Sequence, residues 1–92
     1  MNQVAEELLL RLSQALPGAK VYWEKEPPIH TLSGAVVTSE YKNRKFSMQF
    51  IRGDKKAPAE VLDEDFIDQV IDDFTDFFSR TIYPKEKFTR II

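Results

Sequence analysis

The stretch GAVVTSEYKNRKFSMQFIR, residues Gly34 to Arg52, decides the fold. Phe46, Met48 and Phe50 alternate with Ser47, Gln49 and Ile51, which is the two-residue period of a strand covered on one side. Gly34 to Glu40 supplies a second strand, and Tyr41-Lys42-Asn43-Arg44 lies between them, with Asn43 able to take a positive φ. The segment therefore reads as an antiparallel hairpin.

Working outward, Ala19 to Trp23 also alternates, with Ala19, Val21 and Trp23 on one face and Lys20, Tyr22 and Glu24 on the other. Lys25 to Ser33 holds Pro27-Pro28, which removes two backbone donors, and is expected to be a loop. Before it, Asn2 to Leu16 places Val4, Ala5, Leu8, Leu9, Leu12, Ala15 and Leu16 in one helical arc, stopped by Pro17-Gly18. Asn2 suits the N-cap, and Glu7 and Arg11 form an i, i+4 pair. Leu10 alone points into the polar arc.

After Gly53-Asp54 and a Lys55 to Pro58 connection, Asp63 to Thr81 is strongly amphipathic. Phe66, Ile67, Val70, Phe74, Phe77 and Phe78 share one side and Asp65, Asp68, Asp72, Asp73 and Asp76 the other. Asp63 suits the N-cap with Leu62 and Ile67 as a hydrophobic staple, and Arg80 matches the macrodipole at the far end. Tyr83-Pro84 closes the helix, leaving residues 83–92 as a basic, apolar tail in which Lys85 to Ile92 is amphipathic enough for a further turn or a short strand. The expected architecture is an α+β two-layer sandwich in the order α-β-β-β-α. A three-stranded antiparallel sheet carries both helices on one face.

Ninety-two residues form one domain, 1–92, with room for one core. There is no cysteine, which excludes disulfides, thiolate catalysis, zinc-finger and iron–sulfur ligation. The longest apolar run, Leu8 to Leu10, is far too short for a membrane span, and the reading is a cytoplasmic protein with no membrane association.

Enzymatic chemistry finds little support. The single histidine, His30, lies in the proline-rich loop, no serine sits in a G-x-S-x-G, and Gly18, Gly34 and Gly53 stand apart rather than in a phosphate loop. Asp68 with Asp72 and Asp72 with Asp76 have i, i+4 spacing, but no EF-hand pattern or histidine ligand joins them. A solvated acidic face is the reading for these carboxylates as metal ligands, so no catalytic residue, metal or cofactor is expected.

The net charge of −2 conceals a separation. Glu60 to Asp76 holds eight acids and no base, leaving 13 bases against 7 acids elsewhere, a net of +6. Like charges at i, i+4 cost roughly 0.2–0.5 kcal/mol per pair in an isolated helix. Two accounts stand side by side. The aspartates pair across the surface with Lys55, Lys56, Lys85 or Lys87, or Asp65, Asp68, Asp72, Asp73 and Asp76, with Leu10, dock on a protein with a basic surface, such as one that itself binds nucleic acid.

The bases make an alternative case. Lys42, Arg44 and Lys45 crowd the hairpin turn, and Arg52, Lys55 and Lys56 follow the next strand, as phosphate contacts would. The helix, three strands, helix order and the Tyr22 to His30 stretch, with Pro27-Pro28 before His30, resemble double-stranded-RNA-binding domains, as does Lys55-Lys56 before the second helix. The resemblance implies a duplex-binding surface at that helix start. The chain departs from the family there, with Pro58, Glu60, Asp63, Glu64 and Asp65 in place of lysines, and has Gly34 where the family places an aromatic. Repulsion of phosphate at that turn argues against gripping a duplex in the family's way. A third reading is a homo-oligomer pairing through a strand edge or the tail.

Overall fold

The structure is a computed structural model that describes residues 3–28, 31–51, 64–79 and 87–91. Its elements are α1 (Gln3–Ala15), β1 (Lys20–Lys25), β2 (Val36–Tyr41), β3 (Arg44–Ile51), α2 (Glu64–Ser79) and β4 (Lys87–Ile91). The class is α+β, and the hairpin and both helices stand where the periodicity places them.

The sheet differs from expectation. It has four strands in the order β1-β2-β3-β4, with β1, β2 and β3 antiparallel and β4 parallel to β3. Lys87–Ile91 of the expected tail thus form an edge strand, in register from Ser47 with Lys87 to Ile51 with Ile91. β3 would otherwise leave a row of unpaired backbone donors and acceptors, and a parallel neighbour needs a long connection, which α2 supplies. The fourth, parallel strand also separates this topology from the helix, three strands, helix order of double-stranded-RNA-binding domains.

The turn between β2 and β3 has both central residues at positive φ, Lys42 at 53° and Asn43 at 63°. A two-residue type I′ hairpin requires this, and its twist matches that of the strands. Upstream, the Ala35 N–H donates to the Leu32 carbonyl at 3.0 Å across a tight turn that Gly34 makes at a φ of 85°. That turn tucks Leu32 and Ala35 into the core and delivers the Phe50 N–H to the Ala35 carbonyl.

Register sets the faces. Val21 and Trp23 sit opposite Ser39 and Val37, which sit opposite Phe46 and Met48, so these residues share one face with Phe50. This face meets the helices. Phe46 stacks on Phe77 at 4.4 Å between ring centroids and meets Phe74 edge-on at 4.8 Å, while Phe50 lies against both Trp23 and Phe66. Leu8 and Leu12 of α1 join the same core, and Val4 and Leu9 pack half-buried at its margin. Burial of each such large side chain contributes on the order of 1.5–3 kcal/mol.

The opposite face is polar but not fully open. Thr38 and Ser47 are buried there, and their hydroxyls share a hydrogen bond of 2.8 Å. Expected features at Asn2, His30, Leu62, Asp63 and Arg80 lie outside the described residues. Among the described residues, no helix is long and apolar enough to cross a membrane.

Candidate functional site

Two charged surfaces emerge from this arrangement. The first is the outer side of α2. At about 100° per residue, Asp65, Asp72 and Asp76 fall within about 40° of arc, with Asp68 toward one flank and Asp73 well round the other. Asp65, Asp68, Asp72 and Asp76 are exposed and Asp73 is half-buried.

The flanking acids are held by the rest of the fold. Asp68 forms an ion pair with Arg11 of α1, and Asp73 with Arg90 of β4. Arg90 also reaches Gln69 Oε1 at 3.4 Å and lies over the Phe66 ring. The pairs expected from spacing are replaced: Arg11 turns from Glu7 toward the neighbouring helix because α1 and α2 lie side by side. Asp65 and Asp72 make no ion pair among the described residues. The acidic face is therefore divided into anchors and an outward ridge.

Leu10 stands on the solvent side of α1, opposite Leu8, and is 53% exposed. Because both helices cover the same face of the sheet, Leu10 belongs to the outer surface of the layer that also carries the ridge.

The second surface lies at the tip of the β2–β3 hairpin. An open groove of about 620 Å³ is lined by Gly18 and Lys20 from the α1–β1 connection and by Glu40, Tyr41, Lys42, Asn43, Arg44 and Lys45 from the hairpin. Lys42, Arg44 and Lys45, the hairpin bases singled out from the sequence, line it together with Lys20; the register puts Lys20, Glu40 and Lys45 on the outer face of the sheet and Arg44 on the face that meets the helices. Lys20 was legible only as an outward residue of β1; its approach to the turn follows from its pairing with Glu40. Arg52, Lys55 and Lys56 lie outside the described residues.

The cations of the groove are positioned by aromatic rings. Lys20 Nζ lies 5.4 Å from the Tyr22 ring centre, Lys42 Nζ lies 5.1 Å from that of Tyr41, and the Arg44 guanidinium sits 4.4 Å from that of Phe77. Lys45 Nζ pairs with Glu24 at 3.1 Å, and the hydrogen bond to that carboxylate raises the Lys45 pKa. The Tyr22 hydroxyl is hydrogen-bonded to Glu40, which together with partial burial raises its pKa.

Among the described residues, no group of three or more His, Asp or Glu side chains could hold a metal ion. What the two surfaces offer is charge of opposite sign, the acidic one on the helical layer and the basic one at the hairpin end of the sheet. Compared with protein-family models, with curated proteins and with solved structures, the chain matches none.

Proposed function

We propose that the chain is a small, non-catalytic interaction module of the cytoplasm whose α2 ridge docks on a protein with a basic surface. The carrying observation is the division of the acids. Asp68 and Asp73 are engaged by Arg11 and Arg90, whereas exposed Asp65 and Asp72 have no ion pair among the described residues.

Aligned carboxylates of one sign repel one another at a small cost and present a concentrated negative potential. Such a potential speeds encounter with a basic partner and fixes orientation, after which packing of neighbouring apolar groups such as Leu10 slows release. The absence of cysteine fits a reducing compartment.

The test is capture from a native lysate at low salt by the wild type and by Asp65→Lys/Asp72→Lys. These positions are reversed because neither makes an ion pair among the described residues, whereas reversing Asp68 would also strand Arg11. Loss of the captured protein with an unchanged urea midpoint is expected. An identical captured set from both proteins would place docking elsewhere.

A further inference from the structure

The groove at the hairpin tip is unexplained by docking through α2. Four cationic residues, Lys20, Lys42, Arg44 and Lys45, and one carboxylate, Glu40, line it. Lys20 and Lys42 make no ion pair among the described residues. Their ammonium groups lie over Tyr22 and Tyr41, and Tyr41 is itself wedged edge-on against Phe78 at 5.6 Å. The Arg44 guanidinium lies flat enough to sit 4.4 Å from the Phe77 centre. Tyr41 and Phe77, tied to the core, thus limit where Lys42 and Arg44 can go.

That arrangement has a cost. Like charges are brought together at a turn where Lys42 also occupies a positive φ, a backbone region disfavoured by roughly 1–2 kcal/mol for a residue other than glycine. An asparagine or glycine would serve the turn better and carry no charge. Cations limited in position before binding lose less freedom when an anion arrives. Lys20 and Lys45 stand on the outer face of the sheet and Arg44 on the face that meets the helices, so one phosphate would not touch all of these cations.

The geometry points to a binding site for a ligand bearing several phosphates, held in this groove by Lys20, Lys42 and Arg44. The same chemistry is offered by a strand of nucleic acid and by a small polyphosphate compound. Lys45 takes a lesser part because Glu24 already holds it. Glu40 opposes binding and limits affinity.

Two probes distinguish the sources: a mixed-sequence single-stranded RNA of about twelve nucleotides and inorganic tripolyphosphate, each titrated into the full chain at about 50 mM salt. The expected result is binding of at least one probe, with amide NMR shifts confined to Gly18–Lys20 and Glu40–Lys45. Stronger binding of the strand identifies nucleic acid, and stronger binding of tripolyphosphate identifies a small ligand. Either supports the site.

Each of Lys20→Gln and Lys42→Gln should weaken strand binding about fivefold at about 0.1 M salt and reduce the slope of log affinity against log salt by about 0.7, the release of one phosphate's counterions. Glu40→Gln should tighten it severalfold. The proposal is overturned if neither probe binds at about millimolar concentration, or if both lysine variants bind as the wild type does. It is equally overturned if salt-sensitive self-association maps to the groove and the α2 ridge, for the occupant would then be the acid ridge of a second copy. Failure here leaves docking through α2 untouched, since the two surfaces are tested by different residues.

Discussion

Arg90, four residues into the last strand, is ion-paired with Asp73 in the middle of α2, and its side chain is only 19% exposed. The pair joins β4 to the helix that connects it with β3, and Arg90 covers Phe66 as it does so. Removing the carboxylate leaves a largely covered guanidinium with one partner fewer. Asp73→Ala should lower stability by roughly 1–2 kcal/mol in urea unfolding, below the 3–5 kcal/mol of a fully buried pair because Asp73 is partly solvated. Asp68→Ala, whose carboxylate side chain is 53% exposed, should cost no more than about 0.5–1 kcal/mol. Equal losses at the two positions would contradict this account of the anchors.

Three hydroxyls in the hairpin separate a satisfied polar group from an unsatisfied one. Thr38 and Ser47 are buried and bond to each other at 2.8 Å, whereas buried Ser39 Oγ has no hydrogen-bond partner among the described residues. Ser47→Ala strands the Thr38 hydroxyl and should cost about 1–2 kcal/mol. Ser39→Ala, which removes a hydroxyl packed toward the apolar core, should be neutral or stabilise by up to about 1 kcal/mol. Urea midpoints measured side by side give the signs.

Alkaline stability follows from the outer face of β1. The pKa of Lys45 is raised above 10.5, first by its hydrogen bond to Glu24, and that of Tyr22 above 10.0, first by its hydrogen bond to Glu40. In both cases the folded state holds its proton more tightly than the unfolded state. The contribution is therefore complete below these ordinary values and is lost as pH rises through the raised folded ones. Between about pH 9 and about pH 12 the urea midpoint should fall less steeply in Glu24→Gln and Glu40→Gln than in the wild type. In ultraviolet titration, Glu40→Gln should lower the pH at which Tyr22 ionises.

The hairpin turn allows folding and binding to be pulled apart. Lys42→Asn places a residue that tolerates positive φ where lysine now sits at 53°, and should stabilise the chain by about 0.5–1 kcal/mol. If the groove binds phosphate, the same variant should bind it more weakly. A thermal melt and a titration on one sample would show the two effects with opposite signs.

Much of this molecule is legible residue by residue. The alternation of Phe46, Met48 and Phe50 with Ser47, Gln49 and Ile51 is the pattern of faces that the pairing register shows, and the Tyr41 to Arg44 turn falls where the residues place it. The apolar arcs of both helices face the core. For Lys85 to Ile92 the sequence left a turn and a short strand open, because β4 is five residues long and its apolar members, Phe88 and Ile91, stand three apart rather than at the two-residue period of a strand. The division of the acidic face was hidden. Asp65 and Asp68 are alike in type, yet among the described residues only Asp68 is paired with an arginine, which comes from the other helix.

By itself, the sequence determined which face of each element is apolar, where the tight turn falls and that charge is separated along the chain. Each of these is encoded in the period or type of neighbouring residues. The tertiary structure alone decided that β4 completes the sheet, that Arg11 and Arg90 hold Asp68 and Asp73, and that Lys20 meets the hairpin bases. Arg11 and Asp68 stand 57 residues apart, and Arg90 and Asp73 stand 17 apart. Contacts of that kind depend on how elements pack and pair, which local periodicity does not specify.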